Sequence, residues 1–205
     1  MKDLKKFGFA YIIGDKGSGK TVFATALAYI DNLNGAPVYL NYAVGFEARS
    51  NIRDENELPS SLSSQDIVEL FKEDPRNFRG STVVFDEAQM SASSRSFFAK
   101  SNKKLVEFIA MLRKLKCTLI ITSQKYKKVD KWVREDAEYI IVMEAENRDR
   151  ERNENFWFEV FDQQANSLMG FLHEERLVNQ GWFHGKEIFK LFDTDALISY
   201  EKTVT

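Results

Sequence analysis

Two separated stretches hold the residue types that phosphate chemistry needs. The first is Gly14-Asp15-Lys16-Gly17-Ser18-Gly19-Lys20-Thr21, which fits G-x-x-x-x-G-K-[ST] at every fixed position. Its three glycines let the backbone curl so that successive N–H groups turn inward on a phosphate chain. Lys20 can then reach the β- and γ-phosphates, and the Thr21 hydroxyl can serve a Mg²⁺ ion. A helix opening near Lys20 adds the positive end of its dipole. Gly14 to Thr21 are therefore the expected nucleotide-binding residues, with ATP and Mg²⁺ as expected ligands.

The second stretch is Ser81-Thr82-Val83-Val84-Phe85-Asp86-Glu87-Ala88-Gln89. An apolar, β-branched run that ends in two acids describes a buried parallel strand delivering carboxylates. In an open α/β sheet the C-terminal strand ends face the ligand. Asp86 is the expected partner of the Mg²⁺, and Glu87 the expected base that polarises the attacking water. A third apolar run, Cys117 to Gln124, also closes on polar side chains. Gln124 can sense the γ-phosphate or orient the water there, although an ordinary polar strand end would read the same way.

These residues need a scaffold to hold them, and the pattern supplies one. Phe9 to Ile13 reads as the strand before the glycine-rich loop, and Thr21 to Asn32 as the helix after it, with Phe23, Leu27 and Ile30 on one face. Asn34-Gly35-Ala36-Pro37 stops that helix. Val38 to Leu40 reads as a strand, followed by a long polar stretch from Asn41 to Ser63 of functional or partly helical character. A helix is predicted over Ser64 to Glu73, with Ser64 as its cap and Ile67, Leu70 and Phe71 inward. Pro75 to Gly80 is a turn. A helix over Asn102 to Leu115 buries Leu105, Phe108, Ile109, Leu112 and Leu115. Val129 to Ala137 reads as a further helix and Tyr139 to Met143 as a strand. Asn147 to Asn155 reads as a charged hairpin tip, and Phe156 to Phe161 with Ser167 to Leu172 as an antiparallel edge pair. The aromatic tail from Trp182 to Tyr200 is expected to pack back on the sheet. The fold class is thus α/β, with a mainly parallel central sheet flanked by helices and antiparallel strands near the C-terminus.

Composition narrows the function classes. The chain has 205 residues, of which 43% are hydrophobic, enough for one core and one expected domain, 1–205. A net charge of −2 excludes a generally basic nucleic-acid binder. One cysteine, Cys117, excludes a disulfide framework and reads as a buried small hydrophobe. His173 and His184 lack metal-ligand spacing. No run reaches the roughly 18 apolar residues of a membrane span, and MKDLKKFGF is no signal-peptide core. The expectation is a soluble protein without stable membrane insertion, in the cytoplasm or carried in a larger particle.

Charge is nevertheless uneven. Residues 100–134 hold eleven Lys or Arg against two Asp or Glu. A local excess of +9 on a chain of net −2 suggests a polyanion partner, with a solvated helix face plus a lysine-rich loop as the plainer alternative. Lys125, Lys127 and Lys128 are the first DNA-contact candidates, followed by Arg95 and the Asn41 to Ser63 loop.

GDKGSGKT, VVFDEAQ and LIITSQ stand in the order and spacing of the FtsK-HerA division of P-loop ATPases, which the chain resembles. Met111-Leu112-Arg113-Lys114, Val129-Asp130-Lys131-Trp132-Val133-Arg134 and the C-terminal GKEIFKLFDTDALI extend the similarity to the genome-packaging ATPases of Sulfolobus turreted icosahedral viruses. The resemblance covers nearly the whole chain. It implies a RecA-like sheet, a ring of subunits (often six), ATP-driven translocation of double-stranded DNA into a preformed capsid, and a contact with a capsid vertex protein. Bacterial FtsK has additional DNA-tracking and membrane domains that 205 residues cannot hold. An arginine acting in trans would also suit a motor, because no arginine lies in or beside the loop. Arg113, where the resemblance also places one, is the first candidate and Arg134 the second. Two other readings stand beside this one: an export or assembly ATPase of the Zot type acting at a membrane, and a module in which ATP only switches conformation.

Overall fold

A computed structural model describes residues 8–52, 60–87, 107–126, 134–146, 154–163 and 176–192. Each buried apolar run named above becomes a strand: β1 (Phe9–Ile13), β2 (Val38–Leu40), β5 (Thr82–Phe85), β6 (Thr118–Ser123) and β7 (Tyr139–Ala145). Two short strands, β3 (Asn51–Ile52) and β4 (Ser60–Ser61), pair separately inside the polar stretch after β2. Two more, β8 (Asn155–Asp162) and β9 (Arg176–His184), complete the main sheet. Its order is β2-β5-β6-β1-β7-β8-β9. The first five strands are parallel, and β8 and β9 add antiparallel pairings.

The expected antiparallel strands are therefore present, but β8 pairs with Arg176–His184, while Ser167 to Leu172 lies outside the described residues. Trp182 correspondingly belongs to β9 and is 57% exposed, whereas Phe183, Phe189 and Phe192 from the same segment do pack on the core.

Helices cover both faces. Helix α1 (Lys20–Leu33) lies on one side with Val22, Phe23, Ala24 and Ala28 buried. The predicted face is shifted: Leu27 is half-buried and Ile30 is 47% exposed, because the alanines let the helix backbone sit close to the strands. Helix α2 (Ser64–Glu73) and helix α3, described over 107–115, lie on the other side. Ile67, Phe71, Phe108, Leu112 and Leu115 form one core there with Phe9, Tyr11, Val83 and Phe85. The cap of α2 is Ser63, one residue before the expected Ser64. Its Oγ accepts from Asp66 N at 3.2 Å, and the Asp66 carboxylate accepts from Ser63 N at 2.9 Å, a reciprocal capping box. The predicted turn contains a short 3₁₀ helix, Pro75–Phe78. Helix α4 (Lys186–Phe189) leans on α1. Cys117 is fully buried, as expected, and burial pushes its thiol up to about 12. No helix among the described residues is long and apolar enough to cross a membrane. Residues 88–106, with Arg95, and 127–133, with Lys127 and Lys128, lie outside the described residues.

Candidate functional site

Strand β1 delivers the glycine-rich loop at its C-terminal end. Gly17 and Gly19 have φ of +81° and +86°, left-handed values that a side chain rarely adopts. Gly19 is also the N-cap of α1, and a Cβ there would overlap the Phe156 ring of β8. The helix has no side-chain cap bond and no acid in its first turn, so its N-terminal dipole end is open to an anion. The Ser18 hydroxyl is buried and has no hydrogen-bond partner among the described residues. An orphaned hydroxyl, an uncapped helix start and a curled glycine backbone together fit a polyphosphate.

Lys20 is 5% exposed, and its Nζ donates to Asp15 O at 2.8 Å, inside the curl of the loop. Burial pushes the ammonium below its ordinary value, opposed by Asp86, Glu87 and Asp15. A buried ammonium held inside a curl of backbone N–H groups is a group suited to meet negative charge. One helical turn further on, Thr25 Oγ1 donates to Thr21 O at 2.7 Å and meets the Tyr42 hydroxyl at 2.8 Å, which fixes the helix start.

The sheet order brings the second stretch alongside. Strand β6 lies between β1 and β5, so the end of β6 stands between the loop and the acids that follow β5. Thr21 Oγ1 donates to Asp86 Oδ2 at 2.8 Å, and Thr122 Oγ1 donates to Asp86 Oδ1 at 2.5 Å. Both carboxylate oxygens are thereby occupied. Burial nevertheless holds the Asp86 carboxyl above the usual carboxylate range, with the two hydroxyl bonds opposing it. The same Thr122 oxygen accepts from Glu87 N at 2.9 Å. Glu87 adopts φ +47°, a left-handed conformation that is uncommon without glycine and clusters at functional sites. Gln124 Nε2 donates to Glu87 Oε1 at 3.2 Å. One continuous network thus links Thr21, Asp86, Thr122, Glu87 and Gln124.

Two members of this site escaped sequence reading. The Asn41 side chain pairs with the Asp86 backbone: its Nδ2 donates to Asp86 O at 3.0 Å and its Oδ1 accepts from Asp86 N at 2.7 Å. It extends the β2–β5 ladder by one side chain and pins the turn at which Asp86 leaves the strand. The other is Thr122. Its only sequence signal was a hydroxyl near the end of an apolar strand.

Arg113 and Arg134 lie elsewhere. Arg113, at the end of α3, forms an ion pair with Glu138 at 3.1 Å. Glu138 is 6% exposed and directly precedes β7, so this pair sits at the strand ends opposite the glycine-rich loop. The Arg134 guanidinium stacks 4.5 Å above the Tyr126 ring. Lys125 and Lys16 are exposed.

Comparison with known proteins places this geometry among relatives. A family model described as zonular occludens toxin (Zot) matches residues 10–197. The N-terminal domain of zonular occludens toxin from Neisseria meningitidis superposes with a TM-score of 0.57 at 19% identity, covering 91% of this chain and 98% of that one. The genome packaging NTPase of Sulfolobus turreted icosahedral virus 2 in complex with AMPPCP gives 0.51 at 12% identity, covering 79% and 95%. Its complex with ATP-gammaS gives 0.53 at 11% identity, covering 85% and 97%. At these identities the likeness is one of fold. No curated protein matches the chain in sequence.

Proposed function

The chain belongs to the zonular occludens toxin family, and from that premise we propose that it is a Mg²⁺-dependent ATPase of the FtsK-HerA type that drives a step of viral assembly. The observation that carries the reading is the network from Thr21 through Asp86 and Thr122 to Glu87 and Gln124, set beside the buried Lys20.

The roles follow from chemistry. The open start of α1, the loop N–H groups and the Ser18 hydroxyl bind the phosphate chain. Lys20 neutralises the β- and γ-phosphates, and its lowered basicity recovers when that charge arrives. Thr21 and Asp86 would hold the Mg²⁺, which supplies charge neutralisation on the transferred phosphoryl group when bound. Glu87 orients and polarises the attacking water, and Gln124, already bonded to Glu87, lies where it can register the γ-phosphate.

The finer reading is movement of double-stranded DNA into a capsid, by a ring of subunits docked at a capsid vertex. The basic excess over 100–134 supports it, and neighbours of this fold include genome packaging NTPases. A second reading, export or assembly of the Zot type, is favoured by the family match over residues 10–197. One measurement separates them from a passive switch and from each other. ATP hydrolysis is followed with and without double-stranded DNA. A DNA motor hydrolyses faster with DNA; an assembly ATPase hydrolyses at a rate that DNA leaves unchanged. Absence of hydrolysis under both conditions would remove both readings and leave the switch.

A further inference from the structure

Among the described residues the sheet is covered unequally. Side-chain alternation along β7 and β8 puts Met143, Phe156, Phe158 and Val160 toward α1, and Val142, Glu144, Trp157 and Glu159 toward the other face. That other face carries α2 and α3 over β1, β5 and β6, but no residue of β8 or β9 joins their core. Cross-strand register aligns Glu144, Trp157 and Trp182 in one row. The two indole rings lie 5.2 Å apart at 60°. With Glu144, Ala145 and Glu146 they line an open concavity of about 440 Å³. Aromatic faces flanked by carboxylates attract guanidinium and ammonium groups. Leu177, 45% exposed, extends the apolar surface along β9, which lies at the edge of the sheet.

The chain itself carries the complement. Residues 135–163 hold ten Asp or Glu against three Lys or Arg, directly after the +9 block over 100–134. Lys114 and Lys116, both exposed at the end of α3, belong to that basic block. They precede β6, whereas Glu144 closes β7, a strand that runs in the same direction as β6. Lys114 and Lys116 therefore lie toward the end of the sheet opposite Glu144, so one copy does not bring these groups together. We propose that the Trp157–Trp182 face is the acceptor of a head-to-tail contact, and that its occupant is the basic α3 end of a second copy of this chain. Such a contact is heterologous: it closes into a ring or continues as a filament. This assignment does not depend on ATP hydrolysis.

The test uses the full chain and sedimentation velocity over a range of concentration and salt, with melting curves to verify folding. The wild type is expected to self-associate, more weakly at high salt. Glu144→Lys should weaken association by about tenfold or more, and so should Lys114→Glu with Lys116→Glu, as for the central contacts of an interface. Combining the two reversals should restore it, because the opposite charges are re-paired. Trp182→Ser, on an exposed position, should weaken it at any salt. A wild type that stays monomeric throughout overturns the proposal, as does association indifferent to Glu144→Lys and Trp182→Ser. Quenching of Trp fluorescence by an arginine-rich peptide, in a chain that does not self-associate, would likewise overturn it and assign the face to another protein.

Discussion

Gln124 and Glu87 are hydrogen bonded, Nε2 to Oε1, at 3.2 Å. The bond crosses from the end of β6 to the turn after β5, and it joins a neutral amide to the carboxylate proposed as the base. Under the proposed function, a change at the γ-phosphate would be felt by Gln124 and Glu87 together, because the two are bonded to each other.

Glu87→Gln should keep ATP binding and lose turnover by roughly 10² to 10⁴, the usual worth of a positioned base. Lys20→Ala should lose both, since it removes the buried cation of the loop. Equilibrium binding and phosphate release, measured on the same preparations, separate the two. Normal turnover in Glu87→Gln would remove the role assigned to that carboxylate.

Asp86 gives a stability prediction with a definite sign. Its carboxyl titrates above the ordinary 3.8 because it is buried. The folded state thus prefers the protonated acid, and stability falls as pH rises from the ordinary value through the raised one. Asp86→Asn should melt higher than the wild type at neutral pH without nucleotide, a gap that closes in acid. ATP with Mg²⁺ should then raise the melting point of the wild type and not of the variant. A variant that melts lower at neutral pH contradicts the account.

Thr122 donates to Asp86 and accepts from Glu87 N through one oxygen. Thr122→Val keeps the shape and strands both partners, at a cost of about 1–3 kcal/mol for each buried group left unpaired. Thr122→Ser should recover most of that loss and most of the turnover. Chemical denaturation and hydrolysis rates would check both, and equal damage from Ser and Val would mean that the methyl group matters more than the hydroxyl.

DNA contact is tested by salt. If Lys125, Lys127 and Lys128 meet phosphates, neutralising all three should flatten the salt dependence of DNA affinity by up to about three units of slope, with little sequence preference. An unchanged slope would move the interface to Arg95 and the polar stretch after β2.

Arg113 as a finger in trans predicts complementation. Arg113→Ala and Lys20→Ala chains should each be nearly inactive and regain activity when mixed, because one interface can join an intact loop to an intact arginine. The ion pair with the buried Glu138 adds a control. Glu138→Gln should preserve folding while freeing Arg113, whereas a finger role requires that turnover survive this change. Mixed rings without recovery would sink the idea and bring Arg134 forward.

The loop, the two acids and the glutamine strand were legible because each is a contiguous stretch whose chemistry and strand or helix pattern are local. Asn41 was not, because its partner Asp86 is 45 residues away and an asparagine after a strand reads as a loop residue. Thr122 was hidden for the same reason: only the insertion of β6 between β1 and β5 gives its hydroxyl two partners. The capping box at Ser63 was missed by one residue, since Ser63 and Ser64 are chemically alike and only the Asp66 spacing separates them. The helical face at Ile30 was misjudged because periodicity marks large apolar residues and overlooks the alanines that set how closely a helix approaches.

The Phe156 ring under Gly19 makes the outer strands a gauge for the glycine-rich loop. The loop's clearance is set by a residue that arrives in the chain long after it, on a strand whose opposite face bears Trp157. A bulkier side chain at 156 would jack the loop upward, and a smaller one would let it sag. Whatever grips the outer strand pair is therefore separated from the glycine-rich loop by the thickness of one ring.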